Sequence, residues 1–206
     1  KNFGKYKILG ETRDDAAGEC FDKTAKILGL DYPGGPAIAA IAAKLKIKNS
    51  KLKINLPRPM INTKDYDFSF SGLKTAVLYK VKSEKLLNSK GITGSEASGS
   101  KVKSEKYIQE MCYEIQQAII DVLIKKTIRA AKEYKAKSII LGGGVAANEE
   151  LRKQFKVQIL KSKINLLIPP KNLSTDNAVM TAIAGYYNKN KTKNWQKIEA
   201  KANLRV

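Results

Sequence analysis

The 206-residue sequence contains no histidine. This absence excludes a zinc protease of the His-Glu-x-x-His kind, and any metal site built on imidazole, for this stretch of chain. Cysteine is scarce as well: Cys20 and Cys112 are the two present, and they form no Cys-x-x-Cys pair. The sequence therefore predicts neither a disulfide framework nor a zinc ribbon, and we interpret both cysteines as buried free thiols.

Long apolar runs are also missing. No run approaches the roughly 20 residues that a membrane-spanning helix needs, the mean hydropathy is -0.35, and no apolar leader follows Lys1. We therefore expect a cytoplasmic protein without membrane contact. The sequence has no initiator methionine and soon reaches a strand-like segment, Tyr6-Lys7-Ile8-Leu9. This beginning predicts a piece of a larger fold, with missing strands before Lys1.

Basic residues are abundant, and they give a formal net charge of +20 and a pI near 9.8. Such a surface attracts phosphate polyanions, so nucleic acid is an expected partner. However, five of the 39 basic residues are arginine and the others are lysine, which also fits a bias of genome composition. Lys74, near a predicted helix start, is a candidate phosphate contact, with a solvated surface lysine as the alternative.

Hydrophobic spacing predicts the elements of the first two thirds of the chain. They are a helix over Asp14–Leu28, a short Ala-rich helix from Pro36 to near Ile47, a strand over Asp67–Ser71 that leads into another helix, and a long amphipathic helix over Tyr107–Tyr134 with Ile108, Cys112, Ile115, Ile119 and Val122 as its buried stripe. Residues 88–106 are rich in Ser, Gly, Lys and Glu and predict a flexible surface insertion. The polar tail from Lys189 is expected to be peripheral.

The last third predicts two strand-loop-helix units. Strands at Lys137–Leu141 and Ile164–Ile168 are joined through a helix near Ala147–Lys156, so they are expected to be parallel with a right-handed crossover. A final helix is predicted from about Thr175 to Tyr187. The loops after both strands, residues 142–148 and 169–176, should therefore emerge at one carboxyl edge, where open α/β sheets bind ligands.

Three polar features are candidates for chemistry. Gly142-Gly143-Gly144 lets backbone amides approach a phosphate or carboxylate, with Asn148 at the following helix start; a tight turn with Asn148 as a helix cap is the alternative. Asp176, at the start of the last helix, is either a cap or a carboxylate that ligates a metal or orients a hydroxyl. The acidic helix face with Asp22 is either solvated or a site for a cation or polar ligand.

Five blocks of sequence, taken in order, resemble one family. They are Asp14-Asp15-Ala16-Ala17-Gly18-Glu19 with Phe21-Asp22-Lys23-Thr24; Leu30-Asp31-Tyr32-Pro33-Gly34-Gly35-Pro36; Phe68-Ser69-Phe70-Ser71-Gly72-Leu73-Lys74-Thr75; Gly143-Gly144-Val145-Ala146-Ala147-Asn148; and Thr175-Asp176-Asn177-Ala178. The sequence is similar to the tRNA threonylcarbamoyladenosine transferases, whose bacterial members are called TsaD. The resemblance implies the α/β superfold of actin and the sugar kinases, two RNase H-like lobes around a cleft. Residues 1–206 then correspond to the second lobe, without the first lobe and the first strands of the second lobe's sheet.

The resemblance also implies an activity and a set of site residues. Family members transfer the threonylcarbamoyl group from threonylcarbamoyl-AMP to the exocyclic amine of the adenosine next to the anticodon, position 37, in tRNAs that read codons beginning with A. Asp176 matches the family's metal ligand, for iron or zinc. Asp22, Gly35 and Asn148, with the glycine loop at Gly143 and Gly144, match residues that bind the adenylate. The implied partners are tRNA, the missing first lobe, and TsaB- and TsaE-like subunits.

The resemblance is incomplete in the metal site. Family members take two further ligands from a His-x-x-x-His pair in the first lobe and use a Ser-Gly-Gly-His-Thr loop for the acyl adenylate, and neither motif is in this sequence. We therefore expect the chain alone to be inactive. Two alternatives stay open: an ATPase or sugar kinase of the same superfold, and a non-catalytic module that binds tRNA or a partner subunit.

Overall fold

A computed structural model of the chain describes residues 6–45, 54–89, 97–160 and 162–189, together with the single positions 194, 196 and 199. The elements in chain order are α1 (Ala17–Leu28), α2 (Gly34–Ala42), α3 (Ser71–Ser89), α4 (Ala97–Glu133), β1 (Ser138–Ile140), α5 (Glu149–Ile159), β2 (Asn165–Leu167) and α6 (Ala178–Tyr187). Short 3-10 turns at Gly144–Ala147 and Lys171–Leu173 precede α5 and α6. The fold is α/β, as predicted.

The first core is helical and lies around α4. The predicted stripe of α4 is confirmed, since Cys112, Ile115, Ile119 and Val122 are buried and Ile108 is partly buried. Helices α1 and α2 pack on this stripe and on each other. The contributions of α1 to this core are Cys20, Phe21 and Ala25, with Thr24 buried beside them. This packing fixes the direction of α1, which carries Asp22.

The second core lies under a two-stranded sheet. Strands β1 and β2 are parallel, with Ser138 opposite Asn165 and Ile140 opposite Leu167, which confirms the predicted pairing. Ile139 of β1 is buried against the end of α4 and against α5, whose buried face holds Leu151, Phe155 and Ile159. The helix between the strands thus covers one face of the sheet, as a βαβ crossover requires.

Two strand predictions are wrong. Residues 6–9 and 67–71 contain no strand, and their pairing is limited to one parallel bridge between Thr12 and Phe68. A strand exists only with a hydrogen-bonded neighbour, and the part of the chain that the structure describes supplies one bridge here. Tyr6 and Ile8 are exposed as a result.

Several element boundaries also differ from the predictions. Helix α1 begins at Ala17 rather than Asp14, and α2 ends at Ala42 rather than near Ile47, a position outside the described residues. Helix α4 begins at Ala97, ten residues before the predicted start. Residues 97–106 of the predicted flexible insertion are therefore helical, because Lys and Glu propagate a helix well once it exists. Residues 90–96 and most of the tail after Lys189 lie outside the described residues.

None of the helices among the described residues combines the length and the apolar character that a membrane crossing needs.

Candidate functional site

The two loops predicted to form a site do converge. The ladder between β1 and β2 ends with Leu141 N–H donating to the Leu167 carbonyl, at 3.0 Å. Beyond it, the Arg152 side chain donates from Nε to the carbonyl of Ala146 in the first loop and from Nη2 to Ser174 Oγ in the second loop, at 2.8 Å. Residues 142–148 and 174–176 therefore lie at the same carboxyl edge of the sheet.

The glycine loop is open to a ligand. Gly143 has φ of 79°, a left-handed conformation that favours glycine. No described atom lies within 4 Å of where a Cβ would stand on Gly142, Gly143 or Gly144, and all three residues are exposed. Backbone amides on such a loop are accessible to an anionic group.

Asn148 caps α5, as the simpler interpretation predicted. Its Oδ1 accepts from Leu151 N–H at 3.0 Å, and its Nδ2 donates to Oε1 of the buried Gln116 on α4 at 2.9 Å. These two bonds fix the orientation of the amide. One hydrogen on Nδ2 and one lone pair on Oδ1 remain for a ligand, because a carboxamide has two donors and two acceptor sites.

Asp22 and Gly35 lie together beside the glycine loop. Asp22 Oδ1 accepts from the Gly34 amide at 2.7 Å, and Gly35 follows in the first turn of α2. One turn before Asp22 on α1, a Cβ on Gly18 would stand 3.5 Å from a Val145 methyl group. Because α1 touches the loop of residues 142–148 at this point, the helix that carries Asp22 and the loop that carries Asn148 are neighbours.

Lys74 is held by a carboxylate. Its Nζ lies 3.0 Å from Asp15 Oδ2, while Lys23 Nζ lies 2.7 Å from Asp15 Oδ1. The bond from Lys23 holds the pKa of Asp15 below its ordinary value, partial burial opposes this, and Lys74 adds to the lowering. The Lys74 side chain is 30% exposed, so any anionic group that reached its amine would compete with Asp15.

Asp14 joins α1 to α3. Its Oδ1 accepts from the Phe70 and Ser71 amides at 2.8 and 3.2 Å, and its Oδ2 accepts from the Ser69 and Ser71 hydroxyls at 2.5 and 2.6 Å. Partial burial alone would raise the pKa of Asp14, but these hydrogen bonds hold it well below the ordinary value. Helix α1 begins at Ala17, with Ala16 in an extended conformation as its N-cap.

Asp176 is exposed and lies two residues before α6. The cap interpretation of Asp176 is wrong, because the N-cap is Asn177, whose Oδ1 accepts from Met180 N–H at 3.1 Å. Among the described residues, no group of three acidic or cysteine side chains lies close enough to hold a metal ion. A catalytic zinc or iron normally takes three or more protein ligands, so the side chains described here do not fit a complete metal site.

The cysteines take no part in the site. Cys20 and Cys112 are both buried and free. Burial raises the pKa of each thiol to about 12, so neither is a thiolate near neutral pH. The prediction of buried free thiols is confirmed.

Sequence reasoning missed Arg152 and Gln116. Each has a weak signal in hindsight. Gln116 is a polar residue next to the buried stripe of α4, and Arg152 is one of five arginines among 39 basic residues. Neither of these signals specifies a contact partner, which only the three-dimensional structure supplies.

Comparison with known proteins identifies the family to which the chain belongs. The family model described as TsaD, tRNA N6-adenosine threonylcarbamoyltransferase, matches residues 1–183. Proteins of that name from Thermosipho africanus and Desulfotalea psychrophila are 45% and 44% identical over 90% and 91% of this chain. A relative from Thermosipho melanesiensis is 46% identical over 88% of it. The chain spans about half the length of these curated relatives. It belongs to the TsaD family of tRNA N6-adenosine threonylcarbamoyltransferases.

Proposed function

We propose that this chain forms the adenylate-binding wall of a tRNA N6-adenosine threonylcarbamoyltransferase. The reaction moves the threonylcarbamoyl group from threonylcarbamoyl-AMP to the exocyclic amine of the adenosine beside the anticodon. One observation carries the proposal: the loops bearing Asn148 and Asp176 meet at one sheet edge, joined by Arg152. This edge is where open α/β sheets bind nucleotides.

Each site residue has a chemical task in this proposal. The amides near Gly143 and Gly144 bind the adenylate phosphate, because they are exposed on an open loop. Asn148 and Asp22 bind polar groups of the adenosine with the hydrogen-bonding sites that their contacts to Gln116 and Gly34 leave available. Gly35 lets the ligand pass close to the first turn of α2. Together these residues orient the acyl group toward the second loop.

The metal of the family would lie at the second loop. Asp176 is the ligand that this chain would supply, and the other ligands would come from the half of the relatives' length that this chain does not match. When bound, iron or zinc supplies Lewis-acid polarisation. Because the described residues do not complete such a site, the chemistry belongs to an assembly of both halves, and the chain alone is inactive.

The proposed partners follow from charge and exposed apolar surface. A net charge of +20 suits tRNA, and Lys74, which pairs with Asp15 just before α1, is the candidate contact. The apolar side chains of α6 are exposed, with none buried in that helix. This face suits the companion half of the transferase or a TsaB- or TsaE-like subunit.

The decisive experiment joins this chain, covalently or in trans, to the half of the Thermosipho africanus transferase that it does not match. Incorporation of labelled threonine into tRNA is then measured with an adenylate-forming enzyme present. The joined protein should incorporate threonine, and each half alone should not. Robust incorporation by this chain alone would refute the proposal that the metal ligands come from both halves of the transferase. No incorporation by a correctly folded joined protein would refute the proposed activity.

A second candidate function is a non-catalytic module that binds tRNA. It is favoured by the lack of a three-ligand metal cluster among the described residues. This candidate predicts tRNA binding that weakens steeply with salt and no incorporation in any assembly. Salt-independent binding, or none in dilute buffer, would instead leave the lysine excess as a matter of composition. The kinase alternative is set aside by the family match over residues 1–183.

A further inference from the structure

We infer that Arg152 is a positioning residue that sets Asp176 relative to the glycine loop. The inference rests on the proposed function, because it gives Arg152 the task of fixing the distance between the glycine loop, proposed to bind the adenylate, and the loop that carries Asp176. Arg152 is not one of the residues proposed to bind the adenylate or the metal. It acts through two bonds, one to the Ala146 carbonyl and one to Ser174 Oγ, on opposite sides of the site.

The backbone of Arg152 is itself anchored at the site. It lies in the first turns of α5, and its N–H donates to the Asn148 carbonyl at 3.1 Å. The guanidinium then extends back over the loop that precedes the helix. Its planar fork presents several N–H donors in fixed directions, so one side chain bonds two acceptors at once. A lysine amine in the same place lacks this fixed geometry.

Both acceptors are in rigid surroundings. Ala146 and Ser174 are each 3% exposed. Ser174 Oγ also donates to the Pro170 carbonyl at 3.2 Å, so its single hydrogen is used and its lone pairs face Arg152. Asp176 follows Ser174 by two residues. The position of Ser174 therefore constrains the backbone position from which the Asp176 side chain extends.

A second contact between the same elements is weaker. Lys171 in the second loop pairs with Glu149 at the start of α5, and the two side chains are 56% and 70% exposed. Exposed ion pairs contribute little to stability and weaken with salt. Arg152 is partly buried and bonds a neutral hydroxyl and a carbonyl, so its contacts resist salt. This difference makes Arg152 the side chain that holds the second loop.

The first arm of the test uses this chain as it is. Backbone hydrogen exchange is measured for wild type, Arg152→Gln, Ser174→Ala and the double variant. Exchange at the Leu173 and Ser174 amides, which bond the Pro170 and Lys171 carbonyls, should accelerate at least about tenfold in each single variant. At these two amides the double variant should exchange no faster than Ser174→Ala alone, because Arg152 has no bond left to the second loop once the Ser174 hydroxyl is removed.

The control is Lys153→Gln. Lys153 is the next residue on α5, its side chain is 74% exposed, and its pairing with Glu150 is long at 3.9 Å. This variant removes the same charge without touching either loop, so exchange should match wild type. Unchanged exchange in Ser174→Ala, which is the milder variant if Arg152→Gln unfolds, would overturn the link.

The second arm measures transfer kinetics in the joined protein. Arg152→Gln should lower kcat at least about tenfold with less than about a threefold change in KM for the acyl adenylate, because the loops still bind but are misplaced. Arg152→Lys should recover only part of kcat, and Lys153→Gln should retain wild-type kcat. Normal kcat in Arg152→Gln would overturn the positioning role. An inactive wild-type assembly would instead refute the proposed function. The bond between Arg152 and Ser174 would then still be detected by hydrogen exchange, but it would have no role in catalysis.

Discussion

The helical half and the strand-containing half of this protein differ in how they treat apolar side chains. In the helical half, Ile38, Val77 and Ile119 are fully buried. In the other half, Ile140 of β1 is 72% exposed, Leu167 of β2 is 52% exposed, and α6 has no buried residue. Parallel strands in known folds are covered on both faces. The helical half therefore buries a core around α4, although Tyr6 and Ile8 before α1 stay exposed, whereas the strand half presents a face suited to a partner.

The site lies across this division. Asp22 and Gly35 belong to the helical half, while Asn148 and Asp176 belong to the strand half. The part of the proposed site near α1 therefore rests on a buried core, whereas the second loop is bonded to Arg152 of α5 and precedes the exposed helix α6. The following predictions test this contrast, from the largest expected effect to the smallest.

The largest effect is expected for Asp176→Ala in the joined protein. Threonine incorporation should fall to background, because Asp176 is the metal-facing carboxylate in the proposal, while the melting temperature should stay the same since Asp176 is exposed. A matched control is Glu105→Ala, which removes an exposed carboxylate from α4. Full incorporation by Asp176→Ala would place the ligand on another residue.

Stability should respond very differently to one substitution made in each half. Ile119→Ala, at a fully buried position of α4, should cost about 2–5 kcal/mol. Ile183→Ala, at a 51% exposed position of α6, should change stability by less than about 0.5 kcal/mol in this chain alone. Urea unfolding measures both changes in the free energy of unfolding, provided that wild type and variants have equal m-values. A large cost for Ile183→Ala would show that α6 is packed within the chain.

Asn148→Ala should have two smaller effects. Loss of the α5 cap and of the bond to Gln116 should destabilise the chain by about 1 kcal/mol, and adenylate binding should weaken by about 1–3 kcal/mol. Calorimetry with a non-hydrolysable acyl-adenylate analogue and thermal unfolding measure the two separately. Asn148→Ser retains a capping oxygen, so it should recover stability without recovering affinity.

The smallest effect concerns acid. The folded-state pKa of Asp14 is lower than its ordinary value of 3.8 because Ser69 and Ser71 bond the ionised form. A lowered pKa stabilises the fold above pH 3.8, and this contribution is lost as pH falls through the folded-state value. The melting temperature should therefore drop less between pH 6 and pH 3 in Asp14→Asn than in wild type. Parallel curves would contradict the assignment.

The sequence predicted the helical half and the two strand-loop-helix units because these depend on local periodicity. The stripe of α4 follows from residue spacing, and the parallel pairing of β1 with β2 follows from the helix that joins them. The strand predicted at Asp67–Ser71 failed because alternation does not reveal whether a neighbouring strand is available. The start of α4 failed for the opposite reason, since helix propensity outweighed a polar, glycine-containing composition.

The loops of the candidate site could be predicted from the sequence, but the side-chain contacts that join them could not. Glycine content and chain order placed residues 142–148 and 169–176 at one edge. The bonds from Arg152 to Ser174 and from Asp15 to Lys74 join residues 22 and 59 positions apart. Such pairings depend on tertiary geometry, which a single sequence does not encode in any local pattern. The cap at Asn177 rather than Asp176 is within the one- or two-residue uncertainty of helix ends.

The contact between Asp22 and Gly34 has a consequence for mutational scanning. A Cβ on Gly34 would stand 2.6 Å from the Asp22 Cα atom, and the Gly34 amide bonds the Asp22 carboxylate at 2.7 Å. Substitutions at either position should therefore deplete in a screen for folded protein even when no substrate is present. An abundance screen would score both residues as intolerant for structural reasons. Only the excess depletion in a paired activity screen would measure the contribution of Asp22 to binding.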